Sequence, residues 1–500
     1  MTGWVLVIAG LQFVELMAFA GRYGYHRDEM YFIVAGFHPA AGYPDQPPLV
    51  PLVIALMYHL GHSLYLVRLP SALVAAATVV VTALTARDAG GTTRAQVVAA
   101  GVGAVSGISL ATGHFVTTTT FDVLSTALLG WLLVRAVTRH DHRALLWAGL
   151  VSGVGFEAKP QVGFVAAVAL VALAIVGPRW VLRSRWLWLG VGLAVVLAAP
   201  YLLWQAAHGW PQLTVAGNVA GDAEGGRIGF LPFQLVLVSP VLFPVWIAAL
   251  VAVWRHRAPD PMVGAAAQAS PALRPLRFVA VLYGLVLLAY LVGDGKAYYQ
   301  ASLYPTLVGI GAVVTAGWLL RGWRRVRLGL FSAAVVISAL ITAAIGLPLL
   351  PDSQLPGSAA VALNPDIGEE IGWPQFVDTV AGVWNGLPPA DRAHAVIFTG
   401  NYGEAAAIDL LGGPAGLPPA YSGHNGYSLW GQPGPDKTTT IVLGADSVQQ
   451  ASRAFTGCVV AARISNPVGL HNDEYGGPVL RCSGLVVPWS QLWPQLRHYD

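Results

Sequence analysis

The chain has 500 residues, of which 55% are hydrophobic and 11% charged, and its formal net charge at pH 7 is +3. Soluble domains carry roughly 25% charged residues, so this composition excludes a soluble globular protein. The small net charge gives no indication of a nucleic-acid partner, and the repeated apolar runs predict a polytopic α-helical membrane protein.

Apolar runs predict about eleven transmembrane helices before residue 348. The first run has no basic residue before it and no cleavage site after it, so we expect a retained helix rather than a signal peptide. The segment 48–62 is short and proline-rich, which predicts a juxtamembrane helix in the first outer loop. The predicted spans are 3–20, 65–86, 95–112, 115–136, 144–157, 161–177, 186–204, 232–254, 276–293, 298–320 and 328–348.

Basic residues are concentrated in alternate loops between these spans. Arg135, Arg139 and Arg143, for example, fall in one such loop. Because cytoplasmic loops carry an excess of Lys and Arg, this distribution predicts a cytoplasmic N-terminus. The first long loop, with the sequence GYHRDEMYF at residues 24–32, is then extracytoplasmic.

The tail after residue 348 is polar and rich in Gly and Pro. An alternation of strand-like and helix-like segments predicts a small α/β domain there. An odd number of spans makes this domain extracytoplasmic, and the predicted domains are 1–348 and 349–500. The predicted strands are 394–399, 439–443 and 457–464, and the predicted helices are 372–386 and 402–411.

Both cysteines of the chain, Cys458 and Cys482, lie in this tail. An oxidising compartment would allow a disulfide between them. Two buried free thiols are the alternative.

Two adjacent carboxylates, Asp28 and Glu29, lie in the first outer loop near His26 and Asp45. Interfacial charges that face solvent are the common explanation of such a pair. A polar loop of about thirty residues is long for this kind of chain, however, and functional residues concentrate on loops held by a rigid scaffold. We therefore predict that one carboxylate acts as a general base toward a hydroxyl group while the other orients the acceptor or holds a cation.

The chain has three lysines, and two of them, Lys159 and Lys296, lie at the outer ends of predicted spans. A lysine there is a compact positive charge that suits an anionic headgroup, above all a phosphate. Snorkelling of the side chain to the interface is the alternative. Tyr298 and Tyr299 follow Lys296 closely and favour a binding role for it.

Asp122 falls near the outer end of the fourth predicted span. A carboxylate there is costly unless it faces a partner or an aqueous cavity, and Lys159 and Lys296 are candidate partners. Contact with an acceptor is the alternative. His26 and His114 could bind a metal, but their spacing matches no metal-site motif, so we expect no required cofactor, and a divalent ion has no support in the sequence.

The order of these motifs resembles the GT-C superfamily of lipid-linked sugar transferases. The Asp-Glu pair is followed by PPL and by an interfacial segment that ends LGHSLYLVRLPS. The later segments TTFDVLSTALLGWLLVRAV, LVSGVGFEAKPQVGF and KAYYQASLYPTL are similar to motifs of the dolichyl-phosphate-mannose protein mannosyltransferases and aminoarabinose lipid A transferases, in their bacterial branch. PYLLWQAAHGWP and IGFLPFQLVLVSP resemble an actinobacterial subgroup.

The resemblance implies an enzyme of the bacterial plasma membrane that takes a sugar from a polyprenyl-phosphate carrier on the outer face. By position, Asp28 corresponds to the general base and Glu29 to a neighbouring catalytic residue. Lys159 and Lys296 correspond to residues that contact the carrier phosphate. The acceptor would be an envelope glycan, glycolipid or protein, and one direct displacement would invert the anomeric carbon.

Other residues are expected to position the acceptor or the donor. Relatives often carry a lysine before the PP of the first loop, whereas this chain has Gln46, which removes one expected phosphate contact. The positioning residues are His26, Asp45, Asp122, Tyr298 and Tyr299.

Two other functions use similar residues. A transporter or flippase of lipid-linked sugars would also need charges within the membrane, but it would place them near the midplane and on interrupted helices. A glycan-binding scaffold of the envelope would use the aromatic loops of the tail, which ordinary packing explains equally well.

Overall fold

A computed structural model describes residues 2–221, 226–255 and 273–500. Most of this described chain is helical. Its α-helices are α1 (Gly3–Phe19), α2 (Arg27–Phe37), α3 (Leu49–Gly61), α4 (Leu64–Asp88), α5 (Thr93–Ala104), α6 (Gly107–His114), α7 (Thr118–Arg139), α8 (Arg143–Phe156), α9 (Gln161–Val176), α10 (Arg185–Ala207), α11 (Pro211–Gly221), α12 (Gly226–Val238), α13 (Phe243–Arg255), α14 (Arg277–Val292), α15 (Tyr304–Leu319), α16 (Arg324–Gly346), α17 (Ala359–Leu363), α18 (Trp373–Asn385), α19 (Pro389–Ala393), α20 (Tyr402–Leu411), α21 (Val448–Ala451) and α22 (Trp489–Leu496).

Strands occur only after residue 394 in the described chain. They are β1 (Ala395–Thr399), β2 (Ala420–Ser422), β3 (Thr439–Val442), β4 (Phe455–Thr456), β5 (Val459–Arg463), β6 (Pro478–Cys482) and β7 (Gly484–Leu485). The 3₁₀-helices are Val181–Arg183, Arg274–Leu276, Ala297–Leu303, Asp352–Gln354, Pro365–Glu370, Gly413–Ala415 and Asn425–Leu429.

The chain forms two compact units, each built from three stretches of sequence. The helical unit comprises Met1–Ala20, Arg68–Leu203 and Val219–Leu347. The α/β unit comprises Gly21–Val67, Trp204–Asn218 and Pro348–Asp500. The first long loop therefore belongs to the same compact unit as the tail, and the domain limits of 1–348 and 349–500 stay a prediction.

The prediction of a polytopic helical protein is confirmed. Six described helices are long and apolar enough to cross a membrane, or up to eight spans if two bent helix pairs each count as one. Three of the predicted spans correspond to the shorter apolar helices α1, α8 and α9. The count of eleven spans stays a prediction.

The predicted span 232–254 is wrong as one continuous helix. α12 and α13 are bent by 103° at a short break between them. Pro240 lies in this break, where its ring excludes a helical N–H and disfavours the helical conformation of the residue before it. The hydroxyl of Ser239 accepts the N–H groups of Val241 and Leu242, at 3.1 and 3.2 Å, and so caps the approach to α13.

Small residues allow close helix packing in the helical unit. α13 packs against α15, and a Cβ at Gly311 would collide with the carbonyl group of Val245. Gly149 of α8 meets the backbone of Gly190 in α10 in the same way. Such contacts are typical of membrane helices, where close packing replaces the hydrophobic effect between helices.

The α/β unit contains a five-stranded sheet of order β2-β1-β3-β6-β5. β2, β1 and β3 are parallel, whereas β6 pairs antiparallel with both β3 and β5. The predicted strands correspond to β1, β3 and β5, and the predicted helices to α18 and α20. β2 and β6 are absent from the prediction because β2 has only three residues and β6 begins with Pro478 and carries Arg481.

Cys458 and Cys482 form a disulfide in this unit, joining the residue before β5 to the end of β6. The bond closes a chain segment with a sequence separation of 24 residues.

Replacing both cysteines with serine should lower the opening free energy of β6 by about 3 kcal/mol, because the unfolded segment regains the entropy of an open loop. Hydrogen exchange of the 479–482 amides in the full chain measures this difference. Equal protection with and without the bond would contradict it.

Candidate active site

GYHRDEMYF begins a helix within the predicted first outer loop, since α2 starts at Arg27. His26 precedes α2, and its Nδ1 accepts the N–H of Asp28 at 3.2 Å. The carboxylate of Glu29 accepts the N–H of His26 at 2.9 Å. These two contacts form a reciprocal capping box, which satisfies backbone donors that a helix N-terminus otherwise leaves unpaired.

The two adjacent carboxylates consequently have different surroundings. Glu29 is fully buried and accepts the backbone N–H of His26. Asp28 is half-buried, so its carboxylate stays accessible at the helix N-terminus, where the helix dipole favours negative charge. Of the pair, Asp28 is therefore the more exposed carboxylate, and the predicted roles of both residues stay predictions.

Tyrosine hydroxyls bind two of the predicted carboxylates. Tyr402 at the start of α20 donates to Asp28 at 2.8 Å, and Tyr31 of α2 donates to Asp45 at 2.8 Å. The centroids of the two tyrosine rings are 4.6 Å apart. The α/β unit therefore brings Asp28 and Asp45 into one hydrogen-bonded group with aromatic walls.

Local sequence explains how Tyr402 reaches Asp28. α20 begins with a second capping box, in which Asn401 accepts the N–H of Glu404 at 2.8 Å. Gly403 follows Tyr402, and a Cβ at this position would lie 2.9 Å from the Cβ of Arg27. Because glycine has no Cβ, α20 can pack closely against the beginning of α2.

Arg27 ties the start of α2 to the tail within the α/β unit. Its guanidinium lies 2.9 Å from a carboxylate oxygen of Asp473 and 3.6 Å from one of Glu369. The N–H of Gly24 also donates to the carbonyl of Glu370 at 3.0 Å. The predicted base is thus held by residues more than 300 positions away in sequence.

Burial raises the pKa of Asp45 to about 7, and the negative charge of Asp28 acts in the same direction. Between about pH 4 and 7 the folded protein keeps a proton that the unfolded chain has lost. The protonated Asp45 carboxyl therefore contributes to the free energy of unfolding at low pH, and this contribution is lost as the pH rises toward 7. Asp45→Asn does not titrate, so the stability of the wild type relative to this variant should fall by about 2–3 kcal/mol between pH 5 and 8.

Denaturation of both proteins at the two pH values measures this difference. Other buried carboxyls, such as Glu404, whose pKa burial also raises to about 7, contribute equally to both proteins and cancel. Asp446→Asn alters an exposed carboxylate of the same unit and is the matched control. A pH-independent difference between wild type and Asp45→Asn would contradict the assignment.

Gln46, which follows Asp45 in the first loop, is buried. Its side chain is 3% exposed, and neither amide atom has a hydrogen-bond partner among the described residues. Its carbonyl accepts the N–H of Tyr43 at 2.9 Å. Gln46 therefore brings a neutral amide, and no positive charge, to the first loop.

The helical unit holds the predicted cations. The ammonium group of Lys159 donates to Thr119 at 3.0 Å and lies 4.9 Å from the ring centroid of Tyr299 and 5.6 Å from that of Tyr298. Lys296 is close enough for its charge to repel that of Lys159. The two tyrosines that the sequence associates with Lys296 contact Lys159 in the structure, and the binding roles of both lysines stay predictions.

Asp122 of α7 is the carboxylate of this lysine cluster. It is 1% exposed, interacts electrostatically with Lys159, and accepts hydrogen bonds from Ser302 and Thr126. Two lysines and one carboxylate leave a surplus of positive charge. Such a surplus, half-buried and lined by hydroxyl groups, suits a bound phosphate.

One further group has the composition of a metal site. His424, His498 and Asp500 place possible ligand atoms within 4.8 Å of one another. The candidate metal ligands suggested by the sequence, His26 and His114, lie elsewhere. His26 caps α2, whereas His114 lies at the end of α6, 3.4 Å from Arg68.

The structure thus groups the predicted residues by unit. His26, Asp28, Glu29 and Asp45 lie in the α/β unit, whereas Asp122, Lys159, Lys296, Tyr298 and Tyr299 lie in the helical unit. Sequence reasoning missed Tyr31 and Tyr402 as partners of the carboxylates. The sequence did carry a signal for the starts of α2 and α20, the helices that hold these tyrosines. This signal is the H-x-x-E pattern at residues 26–29 and the N-x-x-E pattern at 401–404, which have the spacing of capping boxes.

The helix arrangement defines the chain as a membrane protein with the GT-C fold. A crystal structure of ArnT from Cupriavidus metallidurans in the apo state is similar over 96% of this chain and 98% of its own, with a TM-score of 0.62 and 15% identity. ArnT bound to undecaprenyl phosphate gives a TM-score of 0.58 over the same shares at 15% identity. Arabinofuranosyltransferase AftD from Mycobacteria gives 0.52 at 14% identity, covering 96% of this chain and 41% of its own.

Sequence comparison points to the same superfamily. Residues 45–204 match the family model described as dolichyl-phosphate-mannose-protein mannosyltransferase. A search of curated proteins gives no match. The resemblance recognised from the motifs is therefore confirmed by a family match over about a third of the chain and by the fold of nearly all of it.

Proposed function

We propose that this protein is a membrane glycosyltransferase that moves a sugar from a polyprenyl-phosphate-linked donor to an envelope acceptor. The observation that carries the proposal is the lysine cluster, in which Lys159 and Lys296 outnumber the single carboxylate Asp122. ArnT, whose fold is similar over 96% of this chain, has a crystal structure with bound undecaprenyl phosphate. That structure supports a polyprenyl phosphate as the ligand of the lysine cluster. The transferred sugar is a hexose or a pentose.

The donor side of the reaction needs positive charge. The bond between the anomeric carbon and the carrier phosphate breaks, and its electron pair stays on the phosphate oxygen. Lys159 and Lys296 would stabilise this developing charge, with the hydroxyl of Thr119 available nearby. The carrier brings its own leaving group, so the protein needs no nucleotide.

The acceptor side needs a base. Asp28 would take the proton of an acceptor hydroxyl as that oxygen forms its bond to the anomeric carbon. Tyr402 would orient the carboxylate through its hydrogen bond of 2.8 Å. Glu29 and His26 would act by holding the start of α2, and Asp45 would position the acceptor.

The stereochemistry follows from this scheme. A single displacement inverts the anomeric carbon, because a retaining route needs a protein nucleophile as well as the acid or base.

We place the enzyme in the bacterial plasma membrane with about eleven spans, a cytoplasmic N-terminus and the α/β domain outside. The acceptor is a glycan, a glycolipid or a protein of the envelope.

Mass spectrometry of a deletion strain tests the proposal. The polyprenyl-phosphate sugar should accumulate in the outer leaflet while one envelope glycan, glycolipid or protein loses that sugar. Accumulation confined to the cytoplasmic leaflet would contradict transfer and indicate a flippase. An unchanged lipid pool together with a displaced envelope protein would indicate a glycan-binding scaffold.

A further inference from the structure

We infer that residues 498–500 act as a strap that positions the candidate base Asp28 through the loop 422–428. This inference deepens the proposed function and rests on it for its kinetic part. All the contacts involved lie within the α/β unit. The strap reaches Asp28 by three successive layers of hydrogen bonds.

The innermost layer consists of the two tyrosines that contact the carboxylates. The hydroxyl of Tyr402 donates to Asp28, and that of Tyr31 donates to Asp45, each at 2.8 Å. A tyrosine hydroxyl can orient a carboxylate only if the tyrosine itself is fixed. The groups that hold these two rings form the next layer.

The middle layer is the loop 422–428. The Nδ1 of His424 accepts the backbone N–H of Tyr402 at 3.3 Å, and the N–H of Gly426 donates to the hydroxyl of Tyr31 at 3.0 Å. Gly426 also touches that hydroxyl closely, since a Cβ there would lie 2.8 Å from it. One short loop thus contacts both tyrosines.

The outer layer is the strap. Asn425 donates its N–H to the carbonyl of His498 at 3.1 Å, and His498 donates its N–H to the carbonyl of Gly423 at 3.0 Å. The Asn425 side chain also bonds the backbone of Asp500 through both its amide atoms, at 3.0 and 3.3 Å. Asn425 has a positive φ of 45°, an uncommon conformation that these four bonds hold in place.

The Asp500 side chain completes the strap through His424. Because Nδ1 of His424 accepts an N–H, it carries a lone pair, and a neutral ring must then carry its proton on Nε2. Nε2 contacts the Asp500 carboxylate, so this proton faces an acceptor of full negative charge. A metal on Nε2 would require a ring with both nitrogens deprotonated, so a hydrogen bond explains the group better than a metal.

Asp500 is consequently a positioning residue, which acts on Asp28 through His424. Asp500→Ala removes the acceptor of the His424 proton and should loosen the loop, Tyr402 and Asp28 in turn. We expect kcat to fall about tenfold to hundredfold with KM for the donor lipid unchanged, as for a small misplacement of a catalytic group. Asp500→Asn keeps a neutral acceptor oxygen and should retain most of the activity.

Hydrogen exchange of the full chain tests the strap without any turnover. Peptides that contain the amides of Tyr402 and Gly426 should exchange faster in Asp500→Ala than in wild type. Asp446→Ala, at an exposed carboxylate of the same unit, is the matched control and should leave both exchange and turnover unchanged. Unchanged exchange in Asp500→Ala would overturn the strap.

Two other results would overturn the inference. A third result would bear only on the proposed function. Faster exchange with an unchanged kcat would show that the loop does not position the base. Zinc binding by the wild type that Asp500→Ala loses would replace the hydrogen bond with a metal site. A wild type without transferase activity would instead refute the proposed function, while the exchange measurement would still decide whether the strap exists.

Discussion

Asp28→Asn is expected to lower kcat for sugar transfer by about a hundredfold to ten-thousandfold, the usual contribution of a general base. The amide has nearly the same shape as the carboxylate and can still accept the hydroxyl of Tyr402, which lies 2.8 Å away in the wild type. It cannot take the proton of an acceptor hydroxyl. Binding of the polyprenyl-phosphate donor should be unchanged, since the lysines supply the charge for the phosphate.

The measurement is a steady-state transfer assay combined with donor-lipid binding in detergent or nanodiscs. Asp473→Asn is a useful comparison because Asp473 is an acid of the same unit that binds Arg27. Asp446→Asn controls for the loss of an exposed charge. Turnover by Asp28→Asn within twofold of wild type would remove Asp28 as the base.

Lys159→Met combined with Lys296→Met is expected to weaken polyprenyl phosphate binding by about a hundredfold or more. Each charged hydrogen bond to a buried partner is worth about 1.5–3 kcal/mol, and tenfold in affinity corresponds to about 1.4 kcal/mol. Methionine keeps the length of the side chain and its contact with the Tyr299 ring, so the change removes mainly the positive charge.

Binding of undecaprenyl phosphate to the purified variants, measured beside an uncharged polyprenol, isolates the contribution of the phosphate. Lys437→Met is the matched control, because Lys437 is the third lysine of the chain and donates to the Ala393 carbonyl in the α/β unit. Equal losses of affinity for the phosphate and for the alcohol would indicate a damaged lipid groove. An unchanged affinity for the phosphate would contradict the assignment.

The helices of the membrane part were the most predictable feature of the sequence. A run of apolar residues as long as 65–86 or 328–348 has few alternatives to a buried helix, and both correspond to described helices, α4 and α16. Hydropathy alone could not show the bend of 103° between α12 and α13, because both arms are apolar. The Ser239-Pro240 pair was the local signal for it.

The site was only partly predictable. Lys159, Lys296 and Asp122 could be selected as candidates because charges at the ends of membrane spans are costly and therefore rare. α2 was missed because polar residues surround its start, although His26 and Glu29 have the spacing of a capping box. The contacts of Asp28 with Tyr402 and of Arg27 with Asp473 join residues hundreds of positions apart, which no local pattern reveals.

The most direct test of the proposed function is transfer by the purified protein in nanodiscs, supplied with a polyprenyl-phosphate sugar and a bacterial envelope acceptor fraction. The proposal predicts release of free polyprenyl phosphate that depends on the acceptor, a sugar of inverted anomeric configuration on the product, and the loss of both in Asp28→Asn. Donor lipid that remains intact with every acceptor fraction, while the protein moves it between leaflets in liposomes, would contradict the proposal.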